Sequence, residues 1–162
     1  MVNSWHVSVA AESITAFLFA RIGFDVSVQY GANQPEYDLM VSKGDNIMKV
    51  SVKGSRDGGW GLTQGFKKEV VSYHEAIDLW LLKHSKKTIF SLVQFIGVQI
   101  NEMPRVYVAS PYEVAALMKN ARNGIGDTVL REKKVWTKAQ YRDDLIPSKW
   151  IFSEQRINEL LI

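Results

Sequence analysis

Asp38 opens one short apolar run of the chain and Lys53 closes the next. Tyr37-Asp38-Leu39-Met40-Val41 and Met48-Lys49-Val50-Ser51-Val52-Lys53 read as two β-strands, joined by the tight connection Lys43-Gly44-Asp45-Asn46. Strand side chains alternate between faces, so Ser51 and Lys53 share one face while Val50 and Val52 take the other. An acid and a lysine on neighbouring strands suggest metal-dependent phosphodiester chemistry. Carboxylate oxygens suit a hard divalent ion, and a lysine cation beside a phosphate stabilises the charge that develops there. A further acid, Glu12, sits in the middle of the first helical segment.

These residues need a scaffold, and the chain order supplies one. Residues 5–22 carry Val9, Ile14, Phe17, Leu18 and Ile22 near helical spacing, with Ala10, Ala11, Ala16 and Ala20 between them, as suits a helix packed closely on a sheet. Gly23 stops that helix. Residues 24–30 alternate as a strand, and 31–35 are a loop rich in turn formers. After the paired strands, the glycine-rich stretch 54–61 holds one bulky residue, Trp60. Helical spacing resumes over 66–82, although 77–82 also fits a buried strand. Residues 89–100 and 105–109 read as strands with a hairpin at 101–104. Ser110-Pro111 opens a helix to about Arg122, ended by Asn123-Gly124-Ile125-Gly126. The segment 129–136 fits no single element, and Ser153 caps a last short helix. The order helix, strand, strand, strand, helix, strand implies an α/β domain, bordering on α+β, with a mixed sheet flanked by helices.

Composition narrows the classes. A chain of 162 residues, 46% apolar and with five tryptophans, is sized for one domain with a packed core, residues 123–162 forming a C-terminal extension. No apolar run approaches the ~20 residues of a membrane span. The N-terminus lacks the basic and apolar regions of a secretory signal. No cysteine is present, which excludes disulfides and thiolate metal sites and agrees with a cytoplasmic protein. The formal charge of +3 is mild, with local clusters at Lys67-Lys68, at 83–87, and at Arg131, Lys133, Lys134 and Lys138. His6, His74 and His84 lack zinc-ligand spacing, and His74 and His84 read as surface or helix-end residues. The 54–65 stretch lacks the ending of a P-loop, and no acyl-transfer elbow occurs.

Ala11-Glu12, then residues 31–38, then Lys49-Val50-Ser51-Val52-Lys53-Gly54-Ser55 together resemble the PD-(D/E)XK nuclease superfamily. Within it the chain is most similar to small single-domain members related to archaeal Holliday-junction resolvases and to bacterial endonuclease-like proteins. Residues 104–111, where a strand leads into a helix, also look like those bacterial proteins. The resemblance covers about the first two-thirds of the chain.

The resemblance implies a restriction-endonuclease-like core of order αβββαβ, hydrolysis of DNA, Mg²⁺ (or Mn²⁺) as the ion, and a homodimer. Asp38 would be the central metal ligand and Glu12 an outer ligand or water-positioning acid. Lys53 would lie beside the scissile phosphate. Ser51 occupies the position where the family carries Glu, Asp or Gln, and a hydroxyl brings no formal charge to hold the ion. Three explanations follow: Asp38 and Glu12 suffice with extra waters; a displaced acid, Glu36 or Asp57, substitutes; or the chain is an inactive nucleic-acid-binding or protein-interaction domain. Gln64 corresponds to a glutamine that some of these nucleases carry after their lysine. Ser55, Arg56 and Lys67 are candidate phosphate contacts, and Trp60 either stacks on a base or plugs the edge of the core.

Overall fold

The computed structural model describes residues 1–29 and 35–161. Helix α1 (Ser4–Arg21) starts at Asn3, whose side chain accepts the His6 amide proton while His6 Nδ1 accepts that of Asn3. Its fully buried residues are Ala11, Thr15 and Phe19, whereas Val9 and Phe17 are exposed. Of the apolar stripe expected from the sequence, Ile14, Leu18 and Ile22 pack partly buried against the core, and only Val9 and Phe17 face out. This helix has apolar residues on every side, so spacing alone leaves its inner face open; Ala11 and Thr15 let it approach the sheet closely, and Phe19 fills the core beside them. Thr15 Oγ1 and Ser91 Oγ share a buried 2.8 Å hydrogen bond that pins the helix to the sheet.

Five strands form a mixed sheet in the order β1-β2-β3-β5-β6. Strands β1 (Asp25–Val28), β2 (Leu39–Lys43) and β3 (Asn46–Ser55) are an antiparallel meander. Its second turn, between the paired Lys43 and Asn46, places Gly44 at φ +61°, which glycine adopts without steric cost. Strand β3 is long enough to pair in parallel with β5 (Thr88–Gln94), which in turn pairs antiparallel with β6 (Arg105–Ala109). The crossover between β3 and β5 contains β4 (Gly59–Gly61), α2 (Gln64–Lys67) and α3 (Tyr73–Leu81). A mixed central sheet flanked by helices is thus the architecture, with the element order anticipated from the sequence.

Several boundaries move. The strand expected at 24–30 spans Asp25–Val28; Tyr30 and the loop residues 31–34 lie outside the described residues. The single helix expected over 66–82 is two. Val71 is 91% exposed in the break, and Ser72 restarts the chain with a reciprocal cap, its Oγ accepting the Glu75 amide proton and Glu75 Oε2 accepting that of Ser72. The strand alternative for 77–82 does not form. Strand β5 ends at Gln94 rather than near Ile100, because Gln94 Oε1 accepts the Ile96 amide proton and turns the chain out of the sheet.

The two faces of the sheet carry two cores. One buries Leu39, Val41, Val50, Val52, Ile89 and Val93 under α1. The other buries Phe90, Leu92 and Tyr107 under α3 and α4 (Pro111–Gly124), with Trp60, Trp80 and Trp150. Residues 129–161 belong to both cores. Strand β7 (Val129–Arg131) pairs with β4, β8 (Lys133–Lys134) pairs with β9 (Asp144–Leu145), and Trp150 and Ile157 of α5 (Glu154–Leu160) and the turn before it are buried. Helix α4 ends in a left-handed pair, Arg122 and Asn123; the Arg122 amide donates to Asp144 and its guanidinium lies over the Tyr73 and Trp136 rings. Among the described residues, no helix is long and apolar enough to cross a membrane.

Candidate active site

The unequal lengths of β2 and β3 create the site. Their register runs from Lys43↔Asn46 to Leu39↔Val50, and β3 then continues to Ser55 with only β5 beside it. Asp38 sits where this pairing stops. Its amide donates to Val50 O, its carbonyl accepts from the Gln29 amide, and its Oδ2 accepts the Val52 amide proton at 2.6 Å. The carboxylate therefore caps the open edge of β3 with a short, charge-assisted bond. Lys53 follows immediately, its carbonyl accepting from Trp60 Nε1 at 3.0 Å.

Glu12 arrives from above, on α1. The helix can lie this close to β3 only because residue 54 is glycine: a Cβ there would meet Val7 Cγ1 at 2.8 Å and the Val7 carbonyl oxygen at 2.9 Å. A Gly54→Ala variant should consequently lose about 1–3 kcal/mol of stability by overpacking. Urea unfolding checks this, and an unchanged midpoint would mean that the helix is not held by this contact.

Glu12, Asp38 and Lys53 line one cavity of about 610 Å³, with Trp5, Gln29 and Gly54 among its other walls. Glu12 has its carboxyl pKa pushed above the usual range, first by burial and then by the Asp38 charge, with Lys53 opposing. A cation held at these two carboxylates would relieve their mutual repulsion. The sign for stability follows from the raised pKa. Glu12 contributes stability below its unfolded pKa, and that contribution is lost as pH rises through the higher folded value. At neutral pH the charged group is a small liability, so Glu12→Gln should raise Tm by a degree or two, which for a chain of this size corresponds to about 0.5 kcal/mol. The gain should vanish toward pH 4. Thermal melts across that range check it, and a variant less stable than wild type at pH 7 would contradict it.

The other sequence candidates are placed differently. Ser51 is 1% exposed, opposite Phe90 in the strand register, and does not line the cavity; its Oγ finds no hydrogen-bond partner among the described residues. Glu36 does not replace it. The strand starts at Leu39, so Glu36 shares no strand face with Asp38. Its carboxylate is taken by His84 Nδ1 and Thr88 Oγ1, both at 2.9 Å, and by the Ser85 amide. Burial pushes the Glu36 pKa up, but the hydrogen bonds from Thr88, His84 and Ser85 outweigh it and leave the group below the usual range. Asp57 is engaged in its own turn, with Ser55 Oγ and the Gly59 amide. Two carboxylates therefore serve the cavity, and among the described residues no trio of His, Cys, Asp or Glu is close enough to hold a metal.

The expected phosphate contacts each have a partner within the chain. Ser55 is buried, bonded to Gln94 Nε2 and Asp57, so its hydroxyl is committed inside the fold. Trp60 lines the cavity but is only 2% exposed and packs edge-on against Tyr107, so it plugs the edge of the core. Lys67 donates to the Val70 carbonyl and lies over the Tyr73 ring, away from the cavity lining. Arg56 is exposed but holds the Val2 carbonyl at 2.8 Å. Gln64 is exposed at the start of α2, with its amide over Gly61, and is not itself a wall of the cavity. Sequence reasoning missed Trp5. The signal was present, since Trp5, Ser8, Val9 and Glu12 follow the i, i+3, i+4, i+7 spacing of one helical face and all line the cavity. It also missed the long-range Glu36–His84 pair, which no local pattern announces.

No family model, curated protein or solved structure matches the chain.

Proposed function

We propose that this chain is a metal-dependent endonuclease-like protein that hydrolyses DNA phosphodiester bonds, in the manner of the PD-(D/E)XK nucleases its sequence resembles. The observation that carries the reading is the shared cavity of Glu12, Asp38 and Lys53, reached from a helix, a strand entry and a strand end. Two carboxylates suit Mg²⁺, which keeps several waters and binds through one or two acids together with substrate phosphate. Such an ion, when bound, supplies an acidified water and a polarised phosphoryl oxygen. Asp38, fixed by the Val52 amide, would be the constant ligand. Glu12, once deprotonated, would be the second ligand or orient the attacking water. Lys53 would place its charge against the phosphate oxygens as negative charge builds on them. A homodimer and a cytoplasmic setting belong to the same proposal.

A non-catalytic nucleic-acid-binding domain has one observation in its favour. Position 51 holds a buried serine outside the cavity, so the site has one acid fewer than the resemblance implies. Cleavage assays with Mg²⁺ and Mn²⁺ on branched, single-stranded and duplex DNA separate the two. Metal-dependent products from wild type that disappear in Asp38→Ala are the expected result. Equal inertness of both proteins on every substrate would overturn the catalytic reading, and DNA affinity that still falls steeply with salt would then support the binding module.

A further inference from the structure

Trp5 is 68% exposed, on the lip of the cavity that holds Glu12, Asp38 and Lys53. The other four tryptophans are all used by the fold. Trp60, Trp80 and Trp150 are buried, and Trp136 packs beneath the Arg122 and Lys134 cations and donates to Asp144. Beside a charged cleft, an exposed indole presents a flat apolar face that a ligand in the cleft can cover. Its setting is also ordered. Trp5 lies in the first turn of α1, which Asn3 caps, and its ring meets His6 at 5.5 Å, edge to face; the His6 ring is itself held by the Asn3 amide. The Arg56 guanidinium ties down the chain just before it, at Val2.

We propose that Trp5 is a stacking platform for an unpaired nucleobase, and that the substrate of the cavity is therefore a DNA strand with at least one unstacked base. This inference rests on the nuclease reading given above. Glu12 is two helical turns beyond Trp5, about 10 Å along the axis at roughly 1.5 Å per residue. That matches about three nucleotides at the ~3.4 Å rise of a stacked strand. A strand whose base lies on Trp5 thus keeps a phosphate a few nucleotides away within the cavity that Glu12, Asp38 and Lys53 line. In an intact duplex the base faces are already covered by their neighbours, so Trp5 would have nothing to receive. Aromatic stacking is tolerant of sequence, so the platform selects for strand structure rather than for particular bases.

The test compares wild type, Trp5→Ala and Trp5→Tyr for binding to a 12-nucleotide single strand and to the duplex of the same sequence, in Ca²⁺ to suppress cleavage. A 2-aminopurine placed in turn along the single strand reports stacking. Trp5→Ala should weaken single-strand binding by roughly 5- to 100-fold and abolish quenching at one or two positions, with Trp5→Tyr retaining most of both. Duplex affinity should change less than about twofold, a contrast that a general folding defect would not give. Single-strand affinity unchanged in Trp5→Ala, or equal losses on both ligands, would overturn the inference. So would a Trp5→Ala variant that loses self-association while keeping its DNA affinity, since the ring would then belong to a protein contact. If Asp38-dependent cleavage persists while these Trp5 effects are absent, the nuclease reading survives and the stacking role alone fails. If wild type binds no DNA at all, both fail.

Discussion

Replacing Lys53 with methionine is expected to lower the rate of metal-dependent DNA cleavage by about 10²–10³-fold, the usual loss when one preorganised electrostatic group is removed from a transition state. Methionine keeps an apolar stem of similar reach and removes only the charge. Lys53 lines the same cavity as both carboxylates, and its charge opposes the upward push of burial and Asp38 on the Glu12 pKa. The backbone bond from Trp60 to the Lys53 carbonyl is untouched by the substitution, and the end of β3 should keep its shape. Single-turnover cleavage at saturating Mg²⁺ is the measurement. A drop of less than about tenfold with an unchanged Tm would show that the phosphate is not held by this lysine.

The largest effect on stability is expected elsewhere. Arg156 is 6% exposed, and its guanidinium donates to the Val108 carbonyl at 3.1 Å, to Glu113 at 2.6 Å and to Glu159 at 3.4 Å. These bonds join α5, the end of β6 and the first turn of α4. Glu113 also accepts the Ser110 amide proton and so completes the α4 cap. Removing it in Glu113→Ala leaves the buried Arg156 cation with only the longer Glu159 contact and the Val108 carbonyl, and opens a helix start. The expected cost is about 3 kcal/mol, the low end for a broken buried pair because Glu113 is itself partly exposed. Burial alone would raise the Glu113 pKa, but the Ser110 amide and Arg156 outweigh it and hold the group below the usual range. Its contribution is therefore present above the unfolded pKa and is lost as pH falls through the folded one. Urea titrations at pH 7 and pH 3 should show a wide gap between wild type and variant at the first and a narrow one at the second. Equal gaps would assign the loss to packing rather than to charge.

The parts of the fold that were readable in the sequence are those governed by local signals. Lys43-Gly44-Asp45-Asn46 forms the turn it resembles, Ser110-Pro111 starts a helix at the position where serine caps and proline fits, and Ser153 caps the last helix. What escaped depends on distant neighbours. Nothing near Glu36 announces that His84 and Thr88 will take its carboxylate, and nothing near Ser55 announces Gln94. The inner face of α1 was hidden because apolar side chains surround the helix, and only the glycine at 54 shows why Ala11 turns inward. Of the candidate site, Asp38, Lys53 and Glu12 share a cavity, while Ser51, two residues before the lysine on the same strand, is shut into the interior. Alternation assigns a side chain to a face of the sheet; which part of that face stays open is decided by the helices laid over it.

The nuclease proposal requires that Glu12 and Asp38 together hold one metal ion. Calorimetric titration of Mn²⁺ into wild type, Glu12→Gln and Asp38→Asn at pH 7.5 measures this directly. One ion bound by wild type, with affinity reduced at least about tenfold in each variant, is the predicted result. Indistinguishable binding by all three proteins, or none by wild type even with DNA present, would contradict it.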